Sequence, residues 1–390
     1  MRTQTSIPTQ RYKRVALTIE PMLFPRRLMM NGIARYMQEH GAWSVYVKPP
    51  FLATTLQTWL KKWNGDGVIG TIKADEVPVL RRAGIPFVDT AGIYQRSDAP
   101  LVRADDHAIG RVGAEHLIER GFRNFAFCEI PDQFWSKHRF EGFAERVREA
   151  GFTPSRFLAR KPSAMPCGPD AWDRYQRGLA RWIAGLPRPV GIMTTTDFIG
   201  RDVLEACQRV GLPVPDAVAV IGADNDEPIC RIATPPLSSV IIDDEQRGYA
   251  AAGMLAELMD GRVPNSRSLK IPPAGVATRA STDVYAIEDE AVVAAIRYIR
   301  ENACRAISVD DIANAVHSSE STLARKFKRL LGRSLIDEIV RVRVNDAVRL
   351  LAETKLPIKV IAARCGFASH AYLSTVFKAK LGRTPRSFRP

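Results

Sequence analysis

The chain has 390 residues, enough for two or three domains and too many for a lone small module. Apolar residues make up 46% and charged residues 25%, close to the globular average, which excludes a chain that is largely disordered. The formal net charge of +14 points to a polyanionic partner, nucleic acid or an acidic surface. The N-terminal text MRTQTSIPTQRYKR lacks the apolar core of a secretory signal, and no run approaches the ~18 apolar residues of a membrane span. Cys128, Cys167, Cys207, Cys230, Cys304 and Cys365 stand singly, without a CxxC pair or metal-ligand spacing. They are expected to be free thiols in a reducing cytoplasm, with no metal, no cofactor and no membrane association.

In chain order, short β-branched or apolar runs alternate with amphipathic stretches. RVALTI is followed by the helical RRLMMNGIARYMQEHG, then by WSVYV, TLQTWLKKW and DGVIG. The same alternation continues through IPFVDT, IGRVGAEHLIERG, FRNFAFCE, HRFEGFAERVREAG, VGIMTTT, DVLEACQRVG, VAVIGAD and EQRGYAAAGMLAELMDG. This is βαβ grammar, so parallel sheets with helices on both faces are expected. Some 275 residues are generous for one such sheet, and two α/β lobes with a ligand between them are the natural arrangement.

Near Tyr285 the text turns purely helical, which sets the expected domains at 1–285 and 286–390. Residues 288–390 hold 19 basic and 11 acidic side chains, about four times the net charge per residue of the preceding part. This all-α domain contains a near-repeat. Leu323, Phe327, Lys328 and Gly332-Arg333 recur fifty positions later as Leu373, Phe377, Lys378 and Gly382-Arg383. Each copy reads as a short helix, a tight turn and a second helix capped by Ser319 or Ser369, which is helix-turn-helix arithmetic. The first copy is expected to bury Leu323, Phe327 and Leu330 and to expose Ser321, Ala324, Arg325 and Lys328. The second is expected to bury Leu373, Phe377 and Leu381 and to expose Ala371, Tyr372, Thr375 and Lys378. Between them SLIDEIVRVRVNDAVRLLAE reads as a rigid helical spacer roughly 30 Å long. Two such helices suit successive major grooves of double-stranded DNA; a bundle with a merely solvated basic face is the bland alternative.

The stretch PIKVIAARCGFASHAYLSTVFKAKLGRTPRSFR resembles the signature of the AraC family of transcription regulators. That resemblance implies base readers at Ser321, Ala324 and Arg325 in the first unit and at Ala371, Tyr372 and Thr375 in the second. Arg325 is the strongest of these, because a guanidinium binds guanine O6 and N7 bidentately. DGVIG, GIPFVDT, AEHLIERGFRNFAF, HRFEGF, TTTDFIGRDVL, VAVIGADN, PPLSSV and RASTD resemble, in that order, the effector domain of LacI-type repressors and periplasmic sugar-binding proteins. An effector domain of this kind joined to an AraC-type domain is similar to the xylose operon regulators. This implies a sugar effector, xylose favoured, a homodimer on an operator, and contact with RNA polymerase as an activator of pentose catabolism genes.

Carboxylates and amides pair with vicinal hydroxyls, and an aromatic ring packs on the C–H face of a sugar. Asp224 and Asn225 end the strand VAVIGA, at the carboxyl edge where open α/β sheets bind ligands. The resemblance adds Asp197, Phe198 and Arg139 to the cleft, with Trp135 as the stacking ring; Glu20, at the end of the first strand, is weaker. GDGVIG satisfies GxGxxG only literally, since its glycines precede a strand. Asp105-Asp106 and Asp243-Asp244 read as helix caps rather than an acid/base pair, and no catalytic motif emerges. The expectation is a cytoplasmic, sugar-responsive transcription regulator and not an enzyme. The alternative is a sugar-binding or sugar-processing protein with a basic helical tail.

Overall fold

A computed structural model describes residues 12–19, 24–47, 63–92, 99–159, 168–283, 286, 289–354, 356–381 and 384–389. Glu20, Cys167, Tyr285, Gly382-Arg383 and most of TLQTWLKKW lie outside the described residues. The chain forms two compact units, one of residues 1–118 and 123–283, the other of 119–122 and 284–390.

The first unit contains two lobes, each built on a six-stranded sheet. The chain begins with β1 (Arg14–Thr18), α1 (Phe24–His40), β2 (Ser44–Val47), β3 (Gly67–Gly70), α2 (Val77–Arg82), β4 (Phe87–Asp89) and β5 (Leu101–Ala104). It then crosses to the second lobe through α3 (Asp106–Ile118), β6 (Asn124–Glu129), α4 (Phe134–Glu149), β7 (Pro154–Leu158) and α5 (Pro169–Ala184). That lobe continues with β8 (Val190–Thr194), α6 (Asp197–Arg209), β9 (Val218–Ala223), α7 (Glu227–Ile232) and β10 (Ser238–Ile241). A second crossing leads back to α8 (Asp244–Met259) and β11 (Ser268–Ile271), and a third delivers β12 (Gly275–Ala277) to the second lobe.

The first sheet runs β11-β5-β4-β3-β1-β2 and is parallel throughout. The second runs β12-β10-β9-β8-β6-β7 and is parallel except for β12, a three-residue return strand antiparallel to β10. Helices cover both faces of a parallel sheet, so its central strands are apolar along their whole length. β3, β8 and β9 are accordingly buried at every position. Val15, Ile69 and Leu255 belong to the core of the first lobe, and Ile192, Val220 and Leu179 to that of the second.

Helices α3 and α4 cross at backbone contact. A Cβ built on Gly110 would lie 1.9 Å from the Arg139 carbonyl oxygen, and one on Gly142 would lie 2.0 Å from that of His107. Only glycine fits either place, and the close approach sets the base of Arg139 against the first turn of α3.

The second unit is helical. It contains α9 (Glu290–Asn302), α10 (Val309–Ala315), α11 (Glu320–Leu331), α12 (Leu335–Glu353), α13 (Ile358–Arg364) and α14 (His370–Leu381). Ser308 and Ser334 each form a capping box, with Asp311 and Asp337, and Gly332 closes α11 in the left-handed conformation. The 19-residue α12, about 28 Å long, joins two apolar clusters. Its Leu335 and Ile339 pack with α9–α11, while its Val344, Ala347 and Leu351 pack with α13 and α14. Glu338, fully buried on α12, accepts from Arg333 Nε at 2.6 Å and from Arg341 Nη2 at 2.6 Å. Burial alone would raise its pKa, but the two guanidinium groups bring it down to about 2. No helix among the described residues is long and apolar enough to cross a membrane.

Gly110→Ala is expected to destabilise the first unit by about 1–3 kcal/mol, because the methyl group forces α3 away from α4. Urea denaturation followed by circular dichroism measures it.

Candidate functional site

The strand ends of the two lobes face each other across a cavity of about 290 Å3. Arg139 stands at its centre, 5% exposed. Its Nε donates to Asp106 Oδ1 at 3.1 Å, and its Nη1 donates to the Thr195 carbonyl at 2.6 Å and to Asp224 Oδ1 at 3.2 Å. The Trp135 ring, one turn earlier on α4, lies under the guanidinium at 5.2 Å. Burial would lower the Arg139 pKa, yet Asp224 and Asp106 leave it raised overall, so the cation is secure. Burial pushes Asp224 up to about 6; Arg139 restrains the rise and Asp244 adds to it.

Asp224 and Asn225 follow β9 with φ of +107° and +50°, two successive side-chain-bearing residues in the left-handed region. Each such residue costs roughly 1–3 kcal/mol and persists only where its surroundings over-determine it. The turn aims the Asp224 carboxylate at Arg139 and the cavity.

Of the residues read from the sequence, Asp224, Arg139, Trp135 and Phe198 line the cavity. Asp197 and Asn225 stand beside it but are not among its lining residues. Asp197 is fully buried, with Oδ1 accepting from Ser239 Oγ at 2.6 Å, and the Asn225 side chain accepts from Arg279 Nη2 at 2.8 Å. Trp135 packs partly into the core and supports Arg139. Phe198 is 42% exposed and is the more open ring.

The first lobe and the crossings add Thr90, Arg103 and Arg247, not singled out in the sequence, and Asp106 and Asp244, which the sequence reading took for helix caps. Thr90 sits in a loop tied by Asp89, which accepts from the backbone N–H groups of Ala91 and Gly92 at 2.9 and 3.0 Å. Arg247 pairs with Asp244 at 2.5 Å. The Nε–H groups of Arg103 and Arg247 have no acceptor among the described residues. The doubled aspartates divide their work. Asp105 and Asp243 accept from Ala108 and Gln246 backbone N–H groups as caps, and their successors Asp106 and Asp244 face the cavity. The sequence signal was present in each pair, since one helix start needs only one cap.

In the second unit, α10 with α11 and α13 with α14 form the two helix-turn-helix motifs. Leu323 and Phe327 are fully buried on α11, leaving Ser321, Ala324, Arg325 and Lys328 exposed. On α14 Leu373, Val376 and Phe377 are buried and Ala371, Tyr372, Thr375 and Lys378 are exposed. Leu381, expected on the buried face, is 38% exposed because it is the last residue of the helix. The Thr375 hydroxyl donates to the Ala371 carbonyl at 3.2 Å, so towards a base edge it acts as an acceptor.

Residues 114–282 match the family model of a periplasmic binding protein-like domain, and residues 312–390 that of a helix-turn-helix domain. The xylose operon regulatory protein of Escherichia coli K12 is 31% identical over 372 residues, 93% of this chain and 93% of that one. This chain belongs to the family of xylose operon regulatory proteins. The family member of Haemophilus influenzae is 29% identical over 390 residues, covering 98% of this chain and 99% of its own. The solved structure of a xylose-binding transcription activator superposes with a TM-score of 0.63 at 29% identity, over 97% of this chain and 98% of that one. A cellobiose complex of another transcriptional regulator, 23% identical with a TM-score of 0.56 over 70% of this chain, shares the fold of the first unit. Because these xylose operon regulators match both units from end to end, the family favours a transcription regulator over a sugar-processing protein with a basic tail.

Arg139→Ala is expected to cost about 3–5 kcal/mol, since it leaves Asp106 and Asp224 as uncompensated charges in a buried place. Chemical denaturation of the purified variant at pH 7.5 checks it.

Proposed function

We propose that the chain is a sugar-responsive, sequence-specific transcription regulator in which residues 1–285 are the effector domain and 286–390 the DNA-binding domain. The observation that carries this is the cavity wall: Arg103, Arg139 and Arg247 face Asp106, Asp224 and Asp244, and the fourth carboxylate, Asp226, is engaged as the cap of α7. A wall of near-balanced charge suits a neutral polyol, whose hydroxyls donate to carboxylates and accept from guanidinium groups. A phosphate ester would need a net positive wall. The volume suits a monosaccharide, being at the lower end of small-molecule pockets. Family membership favours xylose, with Asp224 and Arg139 on the hydroxyls and Phe198 against the C–H face. Asn225 and Asp197 contribute from behind the wall, and Trp135 through Arg139.

On binding, the unpaired Nε–H groups of Arg103 and Arg247 gain acceptors, which favours a conformation with the lobes closed. Such a ligand shifts the equilibrium only by its differential affinity for the two conformations. The exposed faces of α11 and α14 read the operator, with Arg325 on a guanine and Lys328 and Lys378 on phosphates. The regulator acts in the cytoplasm as a homodimer and activates transcription through contact with RNA polymerase. It has no enzymatic role.

Calorimetric titration with pentoses and hexoses at pH 7.5 tests the effector reading. Saturable binding of one neutral sugar is expected, lost in Asp224→Ala and weakening as pH falls through about 6, where Asp224 takes up a proton and loses the charge that strengthens its hydrogen bonds to Arg139 and the hydroxyls. Tight binding of only a phosphorylated sugar would overturn the assignment. For the DNA-binding unit, Arg325→Ala is expected to lose about 1–3 kcal/mol on the operator and to relax specificity at one base pair. Lys328→Ala should weaken all sequences alike and lower the salt slope by about one. Fluorescence anisotropy at several salt concentrations separates the two.

A further inference from the structure

Asp197 is the first residue of α6, and its carboxylate is buried in the second lobe. Oδ2 accepts from the Asp226 backbone N–H at 2.7 Å. Oδ1 accepts from Ser239 Oγ at 2.6 Å, and that same hydroxyl accepts from the Asn225 backbone N–H at 2.9 Å. The two N–H groups that follow Asp224 are therefore both tied to one carboxylate, directly or through a single hydroxyl. On the other side, the Asp224 N–H donates to the Val240 carbonyl at 3.1 Å. Between these ties lie the two left-handed residues, Asp224 and Asn225, whose conformation needs such a hold. Gly222 of β9 leaves room for the carboxylate, since a Cβ there would lie 2.2 Å from Asp197 Oδ1. The Arg279 contact holds only the Asn225 side chain, not the backbone turn.

We propose that Asp197 is the positioning residue of the effector site: it locks the Asp224–Asn225 turn and thereby sets the Asp224 carboxylate against Arg139 and the bound sugar, without touching the sugar itself. The part that concerns sugar rests on the reading of the cavity given above; the part that concerns the turn does not. Asp197 thus acts on affinity through Asp224, and an isosteric amide is able to replace it. The Asn oxygen accepts from Asp226 N–H, while its NH2 group donates to Ser239 Oγ.

The test compares the wild type with Asp197→Ala, Asp197→Asn and Ser239→Ala, by calorimetric titration with the sugar that the wild type binds and by crystal structures without sugar. Asp197→Ala and Ser239→Ala are expected to weaken binding about tenfold or more. Their structures should show Asp224 at negative φ and out of hydrogen-bond reach of Arg139. Asp197→Asn is expected to restore both affinity and turn, a rescue that mere loss of packing does not explain. If Asp197→Ala fails to fold, Ser239→Ala decides on the same two readouts. An unchanged turn in these variants, or wild-type affinity in both, overturns the proposal. If the wild type binds no sugar of the panel, the effector reading falls, and the crystal structures alone decide whether Asp197 holds the turn.

Discussion

The effector unit is organised around a buried guanidinium. Arg139 ties the first turn of α3, the strand end at Thr195 and the carboxylate of Asp224 into one hydrogen-bonded centre. A buried charge is tolerable only with partners on every side, so each of these elements has to arrive within about 3 Å of it. The glycine crossing of α3 and α4, the left-handed turn after β9 and the ring of Trp135 all serve that convergence. The cavity is then what remains in front of the cation once its own charge has been balanced.

The helical unit depends on a comparable device of opposite character. Glu338 is a buried anion enclosed by Arg333 and Arg341, and it anchors the start of α12. Because α12 supplies side chains to both apolar clusters, the two helix-turn-helix motifs share one rigid element. Their faces are set by packing, which turns Arg325, Lys328 and Lys378 outward.

Much of this was legible in the sequence because it is local. The period of Leu323, Phe327 and their copies fixed which side of α11 and α14 turns inward, and a strand end followed by Asp-Asn marked the edge of the cavity. What escaped was depth and long-range meeting. Asp197 and Asp224 both lie near strand ends, yet one is behind the wall and the other in it, a difference set by the Gly222 gap and the turn geometry. Arg103 and Arg247 belong to segments some 140 residues apart that the first sheet and its crossings bring together. The pairs Asp105-Asp106 and Asp243-Asp244 were half read: a cap explains one member of each and says nothing of its neighbour.

The three crossings between the lobes have a consequence for how such a sensor can be altered. Each lobe is stitched from separated stretches: the first from the opening hundred residues with α8 and β11, the second from α3 to β10 with β12. No single cut divides one from the other, so a lobe cannot be exchanged for a relative's by swapping one continuous gene segment. The helical unit of residues 284–390, by contrast, is continuous but for the four residues 119–122 that cluster with it.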